Sequence, residues 1–215
     1  MRLHAGILSA TTWLAVCVSC TPPRVPVPAN PALGVRLTQV TSEYDVAGQS
    51  IPELTLSIRT RALLQPDHTT YGGYTTWSLA WAYAGTRIVP GGCSTTGVTV
   101  NLDLKVRYPA WKDTAAAPSL REEWNRYVTA LKAHEGQHAA IAIRGANLLA
   151  SKLRDLVAPF CGSVQGDAAR IANETRQWIR DESNRYDETT RHGATEGANL
   201  RRPGQPPPQE RPQTL

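Results

Sequence analysis

The sequence predicts an α+β domain in which an antiparallel β-sheet is followed by a long site-bearing helix and a second C-terminal helix. Two periodicities carry this expectation. Trp77, Leu79, Trp81 and Tyr83, and then Val98, Val100, Leu102, Leu104 and Val106, recur at every second position, the period of half-buried strands. From Trp124 onward the apolar residues recur at spacings of three and four, the period of an amphipathic helix. Strands first and helices second argue for segregated α+β parts and against an alternating α/β fold. A chain of 215 residues with 41% apolar and 19% charged residues suits one globular domain.

The ends read as something other than fold. Residues 1–20 form a secretory signal: Arg2 gives a basic start, and Ile7 to Val18 is an apolar run too short to span a bilayer. Ser19 directly before Cys20 resembles a bacterial lipoprotein cleavage site with Cys20 as the lipidated N-terminus, although Cys17 stands where Leu is usual and plain secretion stays open. Residues 21–32 carry five prolines and form a semi-rigid spacer. The tail, 201–215, is proline-rich with almost nothing apolar and is expected to be disordered, which leaves 33–200 as the folded domain. The expected location is extracytoplasmic, either a periplasmic lipoprotein anchored to the membrane through Cys20 or a secreted protein. With the signal removed, Cys93 and Cys161 remain. Neither has a Cys or His beside it at ligand spacing, so in an exported chain they read as a disulfide.

Within the domain, Val35, Leu37 and Val40 suggest a first strand. Ser50 with Glu53 makes a capping box and Pro52 suits a first turn, favouring a helix to about Ala62, although Leu54, Leu56 and Ile58 also alternate like a strand. Gly85 and Pro90-Gly91-Gly92 separate the two alternating runs, which are expected to pair as an antiparallel hairpin with a long connection. Ser119 and Glu122 form a second capping box, opening a helix to about Val157. The last helix is expected from near Asp167, anchored by Ile171, Trp178 and Ile179, and ends by Gly193. Lys and Arg exceed Asp and Glu by 23 − 18 = 5, and the arginines are scattered without interleaved aromatics, so nucleic acid is not an expected partner.

The chemistry concentrates in His134-Glu135-Gly136-Gln137-His138. Residues four apart in a helix share a face, so both imidazoles reach one ion while Glu135 lies beside a water on it. Zinc is the natural metal, because neutral imidazole suits it and an open position lets it activate water. Gly136, a poor helix former, suggests close approach of substrate or of a second backbone. A hydrolytic site needs a third protein ligand. His4 leaves with the signal and His68 lies in a turn, so His192, at the end of the last helix, is the first choice. Glu174 is the alternative third ligand, as a carboxylate on the following helix, though Trp178 stands where thermolysin-like enzymes carry Asp. Asp187, or no third protein ligand, completes the options. The long metzincin pattern is excluded by Ile141 and Arg144.

Tyr44-Asp45-Val46-Ala47-Gly48, Thr76 to Trp81 with Cys93, Trp124 to His138, and Tyr186-Asp187 to His192-Gly193 together resemble a bacterial family of uncharacterised extracytoplasmic domains described as predicted secreted zinc-dependent proteases. The resemblance implies a zincin-like fold and one zinc ion, and its protease label itself rests on the metal motif. If the site is catalytic, zinc on His134, His138 and His192 polarises a water and the scissile carbonyl of a peptide or protein substrate. Glu135 is then the general base, Tyr186 an oxyanion donor, and Asp187 a residue behind the ligands that orients a histidine. The alternative is a non-catalytic, zinc-stabilised envelope lipoprotein that binds a partner or cell-wall material.

Overall fold

The alternation centred on Leu102 becomes the central strand of the main sheet. In the computed structural model, which describes residues 28–62, 71–113 and 115–201, Thr99–Trp111 forms β5. Val100, Leu102, Leu104 and Val106 are buried, while Thr99, Asn101, Asp103 and Lys105 lie on the other face. The expected signal, Cys20, most of the spacer, His4, His68 and the tail beyond Arg201 lie outside the described residues.

The strand near the start is β1, Val35–Val46, and the Trp77 run is β2, Tyr74–Ala82. The sheet order is β1-β5-β2, with β2 antiparallel to β5 as expected. The all-antiparallel expectation is corrected at β1, which runs parallel to β5 from Val35↔Val100 to Val46↔Trp111. Only a tight turn forces neighbouring strands to oppose, and between these two lie α1 (Ile51–Arg61), β2 and a further hairpin. That hairpin, β3 (Gly85–Val89) with β4 (Gly92–Thr96), fills what the sequence showed only as a connection, and with β6 (Val157–Ala158) it makes a second, small sheet.

The two capping boxes have different outcomes. At α1 the Ser50 hydroxyl accepts from Glu53 N and Glu53 reaches back to Gln49 N at 2.7 Å, so the helix reading holds over the strand-like alternation. At the long helix, α2 (Pro118–Arg154), Ala117 occupies the cap position with no side-chain bond. Pro118 takes the first turn, where its missing N–H costs nothing, and this puts Ser119 inside the helix instead of at its cap. The third helix, α3 (Val164–Thr190), begins earlier than expected, after a short 3-10 turn at Cys161–Ser163.

The helix α2 packs on the buried face of β5 and against α3, which in turn meets β4 and β6 of the small sheet. One core joins Leu102, Leu104, Ile141, Leu149, Leu153 and Ile179. A second, around Leu54, Trp124, Tyr127 and Leu131, seats α1 and the start of α2 against β1. Cys93 on β4 and Cys161 are joined in a disulfide with Cα atoms 5.0 Å apart, as expected. It links the small sheet to the start of α3. Among the described residues no helix is long and apolar enough to cross a membrane.

Candidate metal centre

The apolar stripe of α2 turns His134 into the core, where it is only 4% exposed, and one turn later sets His138 on the same face at the floor of a cleft of about 530 Å³. The helix α3 crosses here and contributes Asp187. Its Oδ1 lies 3.2 Å from His134 Nε2 and 3.1 Å from His138 Nε2, and the two Nε2 atoms are 3.3 Å apart. Two nitrogens and one carboxylate oxygen thus converge in a near-equilateral triangle, a group that can hold a metal ion.

The other nitrogen of His134 is equally committed. Nδ1 lies 3.1 Å from Glu196 Oε2, and the Tyr186 hydroxyl donates to the same oxygen at 2.5 Å. The Tyr186 ring stacks on His134 with centroids 4.8 Å apart. A carboxylate on the remote nitrogen fixes the tautomer and leaves Nε2 facing the cleft, the arrangement usual for ligating histidines. Burial disfavours the His134 imidazolium, but the Asp187 and Glu196 carboxylates outweigh it and lift the pKa to about 9. Burial also works against ionised Asp187, yet hydrogen bonds from His134 and His138 hold its carboxyl well below the usual range.

Glu135 is also 4% exposed. Burial pushes its carboxyl upward, opposed by the Thr75 hydroxyl, which donates to Oε2 at 2.7 Å, and by the two histidines. Gly73, just before β2, makes room for it: a Cβ there would stand 2.7 Å from Glu135 Oε1.

A left-handed turn completes the site. Arg191, His192 and Gly193 have φ of 51°, 53° and 77°. Gly193 N donates to Thr190 Oγ1, whose own hydroxyl donates to Tyr186 O, so the turn is pinned to the last turn of α3. A Cβ at Gly193 would come within 2.9 Å of His134 Cγ, so glycine is required there on two counts, backbone and space. The segment after it brings Glu196 over His134. Arg126 and Glu123 of α2 then hold it at Gly197 O, Asn199 O and Arg201 N.

Residues 41–193 match the family described as bacterial protein of unknown function (DUF922). The chain belongs to that family. No curated protein and no solved structure gives a significant match.

In this DUF922 chain, the residues singled out from sequence fall into three groups. His134, His138 and Glu135 line the cleft together. Asp187, expected behind a ligand, stands in the triangle itself. His192 lies beside that triangle and outside it: Nδ1 is 3.6 Å from Asp187 Oδ1, and the ring stacks on Tyr71, whose hydroxyl is 3.2 Å from Nε2. Three further expectations are corrected. Glu174 is exposed and ion-paired with Arg170, more than three turns of α3 away from Asp187, which is why it cannot share an ion with His134. Tyr186 directs its hydroxyl to Glu196, on the far side of His134, so it supports that ring and offers no donor to the cleft. Gly136 is exposed and a Cβ there would touch nothing, so no second backbone approaches it. Glu196 escaped sequence reasoning. Its signal is indirect: a buried ligating histidine needs an acceptor for its second nitrogen, and Glu196 is the first acidic residue after His192.

Proposed function

We propose that this protein is an exported zinc-dependent peptidase whose ion is held by His134, His138 and Asp187. The observation that carries the reading is the triangle of 3.1, 3.2 and 3.3 Å edges, with buried Glu135 beside it. Ligands about 2.0–2.1 Å from a tetrahedral zinc stand about 3.3 Å from one another, so the donor set fits without rearrangement. Two imidazoles and one carboxylate also match the three-ligand composition of catalytic zinc sites, which keep one position open.

Held by His134, His138 and Asp187, a zinc ion would supply Lewis acidity and an activated water. The remaining work belongs to the chain. Glu135, oriented by Thr75, accepts the proton of the attacking water as the C–O bond forms, and delivers it to the leaving amine as the C–N bond breaks. His192, on the rim with Tyr71 stacked against it, would turn a ring N–H to the carbonyl oxygen as charge develops there. Glu196 and Tyr186 keep His134 presenting Nε2. A signal and lipidated Cys20 would set this chemistry outside the cytoplasm.

The experiment pairs zinc titration with peptide turnover. Asp187→Ala is expected to weaken zinc by a hundredfold or more, roughly the upper bound for losing a supporting residue, whereas His192→Ala keeps nearly full affinity and loses turnover. Glu135→Gln is expected to keep zinc and abolish hydrolysis. Full turnover in Glu135→Gln would sink the general-base mechanism, no turnover in the zinc-loaded wild type would leave the zinc-stabilised, non-catalytic reading in its place, and full zinc affinity in Asp187→Ala would overturn the ligand assignment.

A further inference from the structure

The arginines of α3 divide into two sets. On the outward face, Arg170 is paired with Asp167 and Glu174, and Arg185 with Glu182. On the face toward the cleft, Arg176 and Arg180 have only neutral acceptors: Arg176 donates to Asn173 Oδ1 and Leu79 O, and Arg180 to Gln177 Oε1. No carboxylate of the described residues pairs with either.

Their position gives those charges a direction. Arg180 lines the cleft of the metal triangle. Together, Arg180 and Arg176 line an adjoining groove of about 510 Å³ along β2, whose lining holds no acidic residue. The strand β2 lies at the edge of its sheet, with β5 on one side and this groove opening along it. One end of the groove adjoins Thr75 and Glu135; at the other end Arg176 reaches across to the Leu79 carbonyl. Along α3, Arg180 and Arg176 stand back from Asp187 by about 10 Å and about 16 Å at 1.5 Å per residue. An extended peptide covers those distances in about three to five residues.

We propose that the groove selects acidic peptides: a Glu or Asp side chain about three to five residues to one side of the bond at the metal triangle is gripped by Arg180 and Arg176. Guanidinium forks suit carboxylates in geometry and charge, and a pair without internal carboxylates gives up only hydrogen bonds to neutral acceptors when one arrives. Unlike a scattered surface charge, the pair flanks the path that an extended chain takes out of the site. This inference rests on the peptidase reading for the position of the reacting bond, but the binding itself does not require hydrolysis.

The test uses the zinc-loaded full chain carrying Glu135→Gln and fluorescein-labelled decapeptides identical except for a central Glu-Glu, Gln-Gln or Lys-Lys pair, read by anisotropy. The Glu-Glu peptide is expected to bind about tenfold more tightly than the Gln-Gln peptide, and Arg180→Gln or Arg176→Gln to remove most of that preference without changing Gln-Gln binding. Raising salt should narrow the gap. Equal binding of the three peptides, binding of none, or a preference untouched by Arg180→Gln overturns the proposal. A second arm exposes wild type to a mixed peptide library and reads products by mass spectrometry. Arginine-dependent acidic binding without cleavage would sink the peptidase reading and keep this one. Cleavage with no acidic bias on either side of the bond would do the reverse.

Discussion

The two ends of α3 are held in opposite ways. At its start, the Cys93–Cys161 disulfide fastens the helix covalently to the small sheet. At its end, the hold is a hydrogen-bonded turn from Thr190 to Glu196, with two non-glycine residues in left-handed conformation and a glycine against His134. The first end lies far along the helix from the metal triangle and serves the fold. The second touches His134 of the triangle through Glu196 and Gly193 and sets the orientation of that ring. Stability and site geometry are therefore separable in this molecule, and substitutions at the two ends should move different observables.

The largest expected effect is on the covalent end. Replacing both Cys93 and Cys161 by Ala opens a loop of 68 residues, for which the chain-entropy estimate is about 4 kcal/mol. Denaturant midpoints should fall accordingly while the zinc affinity of the folded protein stays near wild type. A large loss of zinc affinity in the folded variant would show that the two ends are coupled. At the other end, Glu196→Gln removes the charge on His134 Nδ1. Its effect should be the mirror image, a zinc affinity about 10–100-fold lower with a small change in unfolding. An unchanged titration would reduce Glu196 to a surface neighbour.

Arg191→Gly probes the turn more gently. Arg191 caps α3 at φ 51°, where glycine carries no Cβ penalty, so the variant should be more stable by up to about 1 kcal/mol in thermal or denaturant melts. A loss of stability would mean that the arginine side chain holds more than the backbone strain costs. The smallest effect is acidic. Hydrogen bonding to Arg126 holds the Glu123 carboxyl below its usual range, partial burial opposes this, and the Arg201 amide adds to it. With the folded pKa lowered, the contribution is present above the unfolded value of about 4.5 and fades as pH falls through and below it. It should amount to less than about 1 kcal/mol and vanish in Glu123→Gln, as followed by urea midpoints between neutral pH and pH 3.

The elements with strong local periods were readable from sequence: the alternation in β2 and β5 and the three-four spacing of α2 each specify which face meets the core. The direction of β1 was not, because parallel and antiparallel neighbours bury the same alternating side chains and only the connection decides between them. The hairpin β3–β4 was missed since its strands are five residues each and Gly92 and the neighbouring Pro90 and Gly91 read as turn chemistry. At the site, His134 and His138 are placed by helix geometry alone, so their convergence is local information. Which side chain of the last helix meets them depends on how α3 crosses α2. Sequence puts His192 before Asp187 because imidazole suits zinc and a return of the chain after the last helix could carry it to the ion; the left-handed turn at 191–193 makes that return but lays the imidazole beside the carboxylate.

The left-handed turn also makes this end of the protein a matter of counting. Asp187 is on the helix and Glu196 beyond the turn, yet both must meet opposite nitrogens of one imidazole ring. Inserting or deleting a single residue between them would swing Glu196 away from Nδ1 whatever residue was used. The segment should therefore tolerate substitution at its exposed positions far better than any change of length.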